Sequence, residues 1–201
     1  MSEPPSSWAP RSLSIVIPIC NEAENAKDLV EATTRAARGL EIPFELILVD
    51  DGSSDSTASI LRGLRGYFPE LVVVRLRRNF GQTLALLAGL DRSRGEAVVT
   101  MDGDLQNDPA DIPILLEELC RGADAVSGWR RNRKDGIIRL LPSQVTNWLI
   151  RRLIRIDIHD QGRALKAYRG ELVRSLGLNA PRRSCPHARA RTLMSSTVAS
   201  R

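Results

Sequence analysis

A chain of 201 residues, 42% hydrophobic and 26% charged, can build one ordinary domain with a real core and is too apolar to read as disordered. Its net charge of +5 favours an anionic partner, whether nucleotide, lipid phosphate or membrane surface, without choosing among them. The three cysteines Cys20, Cys120 and Cys185 are odd in number and lack metal-like spacing, which argues against a disulfide framework or a zinc site and fits a reducing cytoplasm.

Residues 1–10 are rich in Pro and Ser and contain no apolar h-region, so a flexible leader is expected rather than a signal peptide. One domain is expected over 11–178 and an irregular basic tail over 179–201. No apolar run reaches the ~20 residues that cross a bilayer as a helix, so any membrane contact is expected to be peripheral.

Five β-branched runs follow in order: Leu13 to Ile19, Phe44 to Val49, Leu71 to Leu76, Ala97 to Met101 and Ala123 to Ser127. They are continuous rather than alternating, as strands buried on both faces are. Helical patterns fill four of the intervals. Ala26, Leu29, Val30, Thr33, Ala37 and Leu40 recur at helical spacing, and Asn21 before Glu24 offers a start like a capping box. The second helix is expected from about Ser56, the third after Gly81 and the fourth over Pro109 to Cys120, where Pro109 suits a first turn. Alternating strand and helix predicts an α/β, Rossmann-like, doubly wound and mostly parallel sheet. Ligands bind such sheets outside the carboxyl ends of the strands, and the polar motifs fall there.

After the first run stand Pro18, Cys20, Asn21 and Glu22, and after the second Asp50-Asp51-Gly52-Ser53-Ser54-Asp55. Asp50 and Asp51 repel each other unless a donor such as a nucleobase edge or ribose hydroxyl compensates them, although the same loop also reads as a turn and an N-cap. Asp102-Gly103-Asp104 follows the fourth run. Its two carboxylates can point to one side of a turn as hard oxygen ligands for Mg2+ or Mn2+, with Gln106 adding a neutral oxygen; an exposed acidic turn is the plain alternative. The Arg77-Arg78-Asn79-Phe80-Gly81-Gln82 loop either steers an anion or is a solvated turn. Arg130, Arg131, Arg133 and Lys134 follow the fifth run, and Arg130, nearest the strand, is best placed to grip a pyrophosphate.

Together these stretches resemble family-2 glycosyltransferases of the GT-A fold, most closely the polyprenyl-phosphate or dolichol-phosphate sugar transferases that carry mannosyl or glucosyl groups. The resemblance rests on Val16 to Glu22, Val49 to Ser53, Arg78 to Gly81, Met101 to Gln106, Val126 to Arg130 and Asp160 to Tyr168, in that order. It implies that Pro18, Cys20, Glu22, Val49 and Asp51 line the pocket for the donor's base and ribose, with Asp50 in support. It also implies that Asp102, Asp104 and Gln106 hold Mg2+ or Mn2+, that Gly103 lies against the donor, and that Arg130 reaches its phosphates. Cys20 stands where many relatives carry Tyr, which weakens stacking on the base. Asp160 lies in the stretch that relatives use near the acceptor, where acceptor binding and helix capping are both open.

Ser143 to Ile156 reads as an amphipathic helix containing Trp148 and three arginines, either interfacial or packed on the domain. From Leu172 onward there is no Asp or Glu, and the end from about Asn179 departs from the family pattern as a truncated or frame-shifted tail would. The implied reaction is transfer of a hexose from a nucleoside diphosphate sugar to a polyprenyl phosphate at the cytoplasmic membrane face. Transfer to a saccharide hydroxyl and an inactive donor-binding remnant are the alternatives. Nucleic acid is not an expected partner, since no aromatic platform interleaves the cations and the cleft motifs are acidic.

Overall fold

The structure is a computed structural model that describes residues 8–127, 165–175 and 191–192. Within them the chain runs β1 (Leu13–Ile19), α1 (Ala26–Arg38), β2 (Phe44–Asp50), α2 (Thr57–Leu64), β3 (Leu71–Arg75), α3 (Gln82–Arg92) and β4 (Ala97–Thr100). A 3-10 turn (Pro109–Asp111), α4 (Ile112–Cys120), β5 (Ala125–Ser127), β6 (Lys166–Arg169), α5 (Gly170–Ser175) and β7 (Arg191–Thr192) complete it. All five expected strands are present, with ends that differ by no more than two residues. The second, third and fourth helical segments start where the turn chemistry placed them, at Thr57, Gln82 and Pro109. Pro109 opens the fourth, and the Asp108 carboxylate caps that turn by accepting from the Ala110 N–H at 2.9 Å.

The seven strands lie in the order β5-β6-β4-β1-β2-β3-β7. Strand β1 is parallel to both β2 and β4, and β2 is parallel to β3. Side chains alternate across this sheet. Ile15, Ile17, Leu46, Leu48 and Val99 join the core beneath α1, α2 and α4, while Val16, Ile47, Val49, Val74 and Val98 join the core beneath α3 and α5. Burying each of these side chains stabilises the fold by about 1.5–3 kcal/mol, which is why the runs read as continuous apolar stretches.

Two expectations are corrected, and two strand pairings add to the expected sheet. The start of α1 has no capping box, because Asn21 adopts φ 55° and turns its side chain to the next loop, leaving Glu22 O to accept from the Asn25 and Ala26 N–H groups. The leader does not stay loose to residue 10, since Trp8 packs on the core and lies under the Arg169 guanidinium at 4.6 Å. Strand β6 was not expected, yet it pairs antiparallel with both β4 and β5. In the tail, Arg191 and Thr192 pair antiparallel with Arg75 and Val74. The basic helix expected over Ser143 to Ile156 and the rest of the tail lie outside the described residues.

A candidate donor and metal site at the carboxyl ends of β1, β2 and β4

The chain leaves β1 toward β2 on one side, and β4 lies on the other, so the sheet reverses its winding between β1 and β4. Pro18 sets where the crevice opens. The Met101 N–H donates to Val16 O, so alternate residues of β1 face β4, and Pro18 is the next of these. It has no N–H to offer, and the β1–β4 ladder stops at Val16 and Thr100. Strand β1 continues to Ile19 against Asp50 of β2 alone.

Two loops zip together above β1 and β2. The Asn21 N–H donates to Ser53 Oγ and the Glu22 N–H to Thr57 Oγ1, both at 2.9 Å, while Asn21 Oδ1 accepts from the Ser54 N–H at 2.9 Å. Asp55 accepts from Ala23 and Thr57, and the Thr57 hydroxyl with these amides holds its carboxyl below the usual carboxylate range. Glu22 sits half-buried in the same loop and accepts from Asn25 Nδ2 at 2.8 Å.

Asp50 and Asp51 do face the electrostatic problem that their adjacency sets, and the protein itself resolves it. Asp50 is fully buried, with Oδ1 accepting from the Ser53 N–H at 2.9 Å and Oδ2 lying 3.2 Å from Arg75 Nε. Asp51, only 3% exposed, accepts from the Phe80 and Gly81 N–H groups at 2.8 Å each. A carboxylate has about four lone-pair positions, so these bonds leave acceptor capacity for a ligand hydroxyl. Gly52, at φ 70°, lets the turn pass the 77–82 loop, where a Cβ would stand 2.3 Å from the Arg78 carbonyl carbon.

The main chain of that loop is held by Asp51, while residues 77–79 stay exposed. Asn79 Nδ2 donates to Cys20 Sγ at 3.2 Å, Cys20 Sγ lies 3.6 Å from Asp51 O, and the Arg78 guanidinium covers the Phe80 ring at 5.0 Å. The next residue, Gln82, donates from Nε2 to Asp102 Oδ1 at 2.6 Å. Asp51 and Asp102 thus hold consecutive residues, Gly81 and Gln82, and share one crevice.

Asp102 and Asp104 flank Gly103, whose missing Cβ would stand 2.4 Å from Ile19 Cγ2 and 3.3 Å from Pro18 O. Gly103 packs down on β1, and its two neighbours are half-buried. Asp104 Oδ1 accepts from the Gln106 N–H at 3.1 Å across Leu105, which is exposed and held at φ 57°. Gln106 is exposed in the same turn. Two half-buried hard carboxylates separated by one residue are a donor chemistry that suits Mg2+ or Mn2+.

Val49 departs from its expected place in the base pocket. Its side chain is fully buried against α3, because the alternation that turns residue 50 to one face turns 49 to the other. Arg130 and Asp160 lie outside the described residues. Sequence reasoning overlooked Asn79, Gln82 and Ser53 as parts of the site; Asn79 and Gln82 were visible in the loop but were weighed there only for the charge beside them.

The model of the glycosyl transferase family 2 matches residues 14–177. This chain belongs to that family. The family-2 chain is 47% identical over 171 residues to the dodecaprenyl-phosphate galacturonate synthase of Rhizobium johnstonii, covering 83% of this chain and 50% of that one. It is 41% identical over 165 residues to the undecaprenyl-phosphate 4-deoxy-4-formamido-L-arabinose transferase of Pseudomonas paraeruginosa, covering 82% and 49%. Among solved structures, the mannosyltransferase PcManGT from Pyrobaculum calidifontis, in complex with GDP-Man and Mn2+, superposes with a TM-score of 0.59 at 22% identity, covering 87% of this chain and 49% of that one. The fold is GT-A, as expected. The family-2 chain spans about half the length of the curated relatives it matches.

Proposed function

We propose that this chain provides the donor site of an enzyme that moves a hexosyl group from a nucleoside diphosphate sugar to a polyprenyl phosphate. One observation carries the reading. Asp102 and Asp104 follow β4 at the open β1–β4 crevice, and Gly81 and Gln82 tie Asp102 to Asp51. The polyprenyl-phosphate substrates named for the two relatives support the acceptor class.

Asp102 and Asp104 would hold a divalent ion, Mg2+ or Mn2+, with Gln106 as a third oxygen donor. Such an ion, when bound, neutralises charge that grows on a departing nucleoside diphosphate. Pro18, Cys20, Glu22 and Asp51 would bound the nucleoside, and Asp50 would support Asp51 from beneath. Arg130 as a phosphate contact and Asp160 near the acceptor enter this reading from the sequence alone. A lipid phosphate is already an anionic nucleophile and needs no general base; a saccharide hydroxyl would need one, such as Asp160. Among the described residues no helix is long and apolar enough to cross a membrane, and contact with the cytoplasmic face of the membrane is proposed as peripheral.

The test pairs calorimetry of UDP- and GDP-sugars, with and without Mn2+, with radiolabelled transfer to polyprenyl phosphate. The expected result is Mn2+-dependent binding that Asp104→Ala abolishes, together with labelled lipid. Binding without transfer would leave a donor-binding remnant, and transfer to a saccharide alone would move the acceptor class. Unchanged Mn2+ dependence in Asp104→Ala would overturn the metal assignment.

A further inference from the structure

We infer that Gln82 is a positioning residue for the metal carboxylates, a neutral donor that fixes Asp102 in the orientation a divalent cation needs. The inference rests on the metal reading of Asp102 and Asp104 above.

Four observations carry it. The Gln82 amide reaches Asp102 Oδ1 at 2.6 Å, at the short end of hydrogen-bond distances. Its own backbone is fixed from the opposite side of the crevice: Asp51 accepts from Phe80 and Gly81, and Gly81 N–H also donates to Asn79 Oδ1 at 3.0 Å. Gln82 is the first residue of α3, so its main chain continues into a helix packed over β1 and β2. The residue itself is exposed, so burial does not account for its orientation.

The chemistry favours an amide at this point. Carboxylates that bind metals are themselves hydrogen-bonded, and removing that outer partner typically costs 10–100-fold in metal affinity. Lys or Arg would also donate to Asp102, but would set a positive charge beside a divalent cation; an amide donates without that repulsion. The same turn joins the nucleoside side of the crevice to the metal side, because Asp51 fixes residue 81 and residue 82 fixes Asp102.

The test titrates Mn2+ alone into the full chain, reading free Mn2+ by electron paramagnetic resonance, with urea unfolding of each variant alongside. In Gln82→Ala the Mn2+ dissociation constant should rise about 10–100-fold while the urea midpoint stays unchanged. Gln82→Lys keeps a donor but adds charge, and should bind Mn2+ at least as weakly as Gln82→Ala. Gln82→Ala within about twofold of the parent chain, beside an Asp104→Ala variant that has lost Mn2+, would overturn the role of Gln82 alone. Mn2+ affinity untouched in both variants would overturn the metal reading and this inference with it.

Discussion

Asp51→Asn separates a carboxylate that shapes the crevice from one that serves only a ligand. In the folded chain both Asp51 oxygens accept main-chain N–H groups at 2.8 Å, and the residue is almost wholly enclosed. Asparagine keeps one acceptor and turns the other atom into a donor facing an N–H. One buried donor is then orphaned, at about 1–3 kcal/mol, and the surviving bond loses its charge assistance, at about 1 kcal/mol more. With a urea dependence of about 2 kcal/mol per M for a domain of this size, a loss of about 2–4 kcal/mol lowers the unfolding midpoint by about 1–2 M. Far-UV circular dichroism across a urea series reads this directly, and calorimetry with UDP or GDP reads the ligand side. A midpoint within about 0.3 M of the parent chain, with nucleotide affinity lost, would refute the structural role, for Asp51 would then be held in place for the ligand alone.

Other substitutions probe the neighbouring contacts. Gly52→Ala combines φ 70° with a Cβ placed 2.3 Å from the Arg78 main chain, so a loss of about 2–4 kcal/mol is expected, seen as a melting temperature lower by about 5–15 °C. Gly103→Ala meets a side chain, Ile19 Cγ2 at 2.4 Å, which can give way in part. Its stability loss should stay near 1–2 kcal/mol, while displacement of Asp102 and Asp104 removes Mn2+-dependent nucleotide binding in calorimetry. Burial pushes the Tyr168 phenol from 10.0 up to about 12, against a smaller opposing effect of the Thr100 hydroxyl. Above pH 10 the unfolded chain releases that proton while the folded chain retains it. Stability is therefore full below about pH 10 and falls toward pH 12, and Tyr168→Phe should flatten that fall in urea midpoints measured across the range.

The parallel half of the fold was legible because its strands are buried on both faces and their apolar runs are long. Residues 15–19 and 46–49 are wholly apolar and buried. Strand β6 was not legible for the opposite reason: Lys166, Ala167, Tyr168 and Arg169 carry only one small apolar side chain fully inside, and their pairing with β4 and β5 depends on partners distant in sequence. The capping box failed because Asn21 had a competing partner in Ser54, 33 residues onward, which no local pattern reports. At the site, the acidic residues could be found from their position after strands. What neutralises them could not, since the donors to Asp51 are main-chain groups with no side-chain signature, and Arg75 reaches Asp50 across the β2–β3 pairing.

This division bears on how the crevice can work. A site whose carboxylates were arranged by the arriving donor would have to order them against their mutual repulsion at the moment of binding. Here folding has already done so: Ser53 and Arg75 engage Asp50, the 80–81 main chain engages Asp51, Gln82 engages Asp102, and the Leu105 turn engages Asp104. The stability of the sheet and of α3 therefore maintains the geometry, as preorganised electrostatic sites require. It follows that mutations in the 77–82 loop, far from any metal ligand in sequence, should weaken nucleoside and metal binding together, whereas mutations confined to Asp104 should weaken the metal side alone.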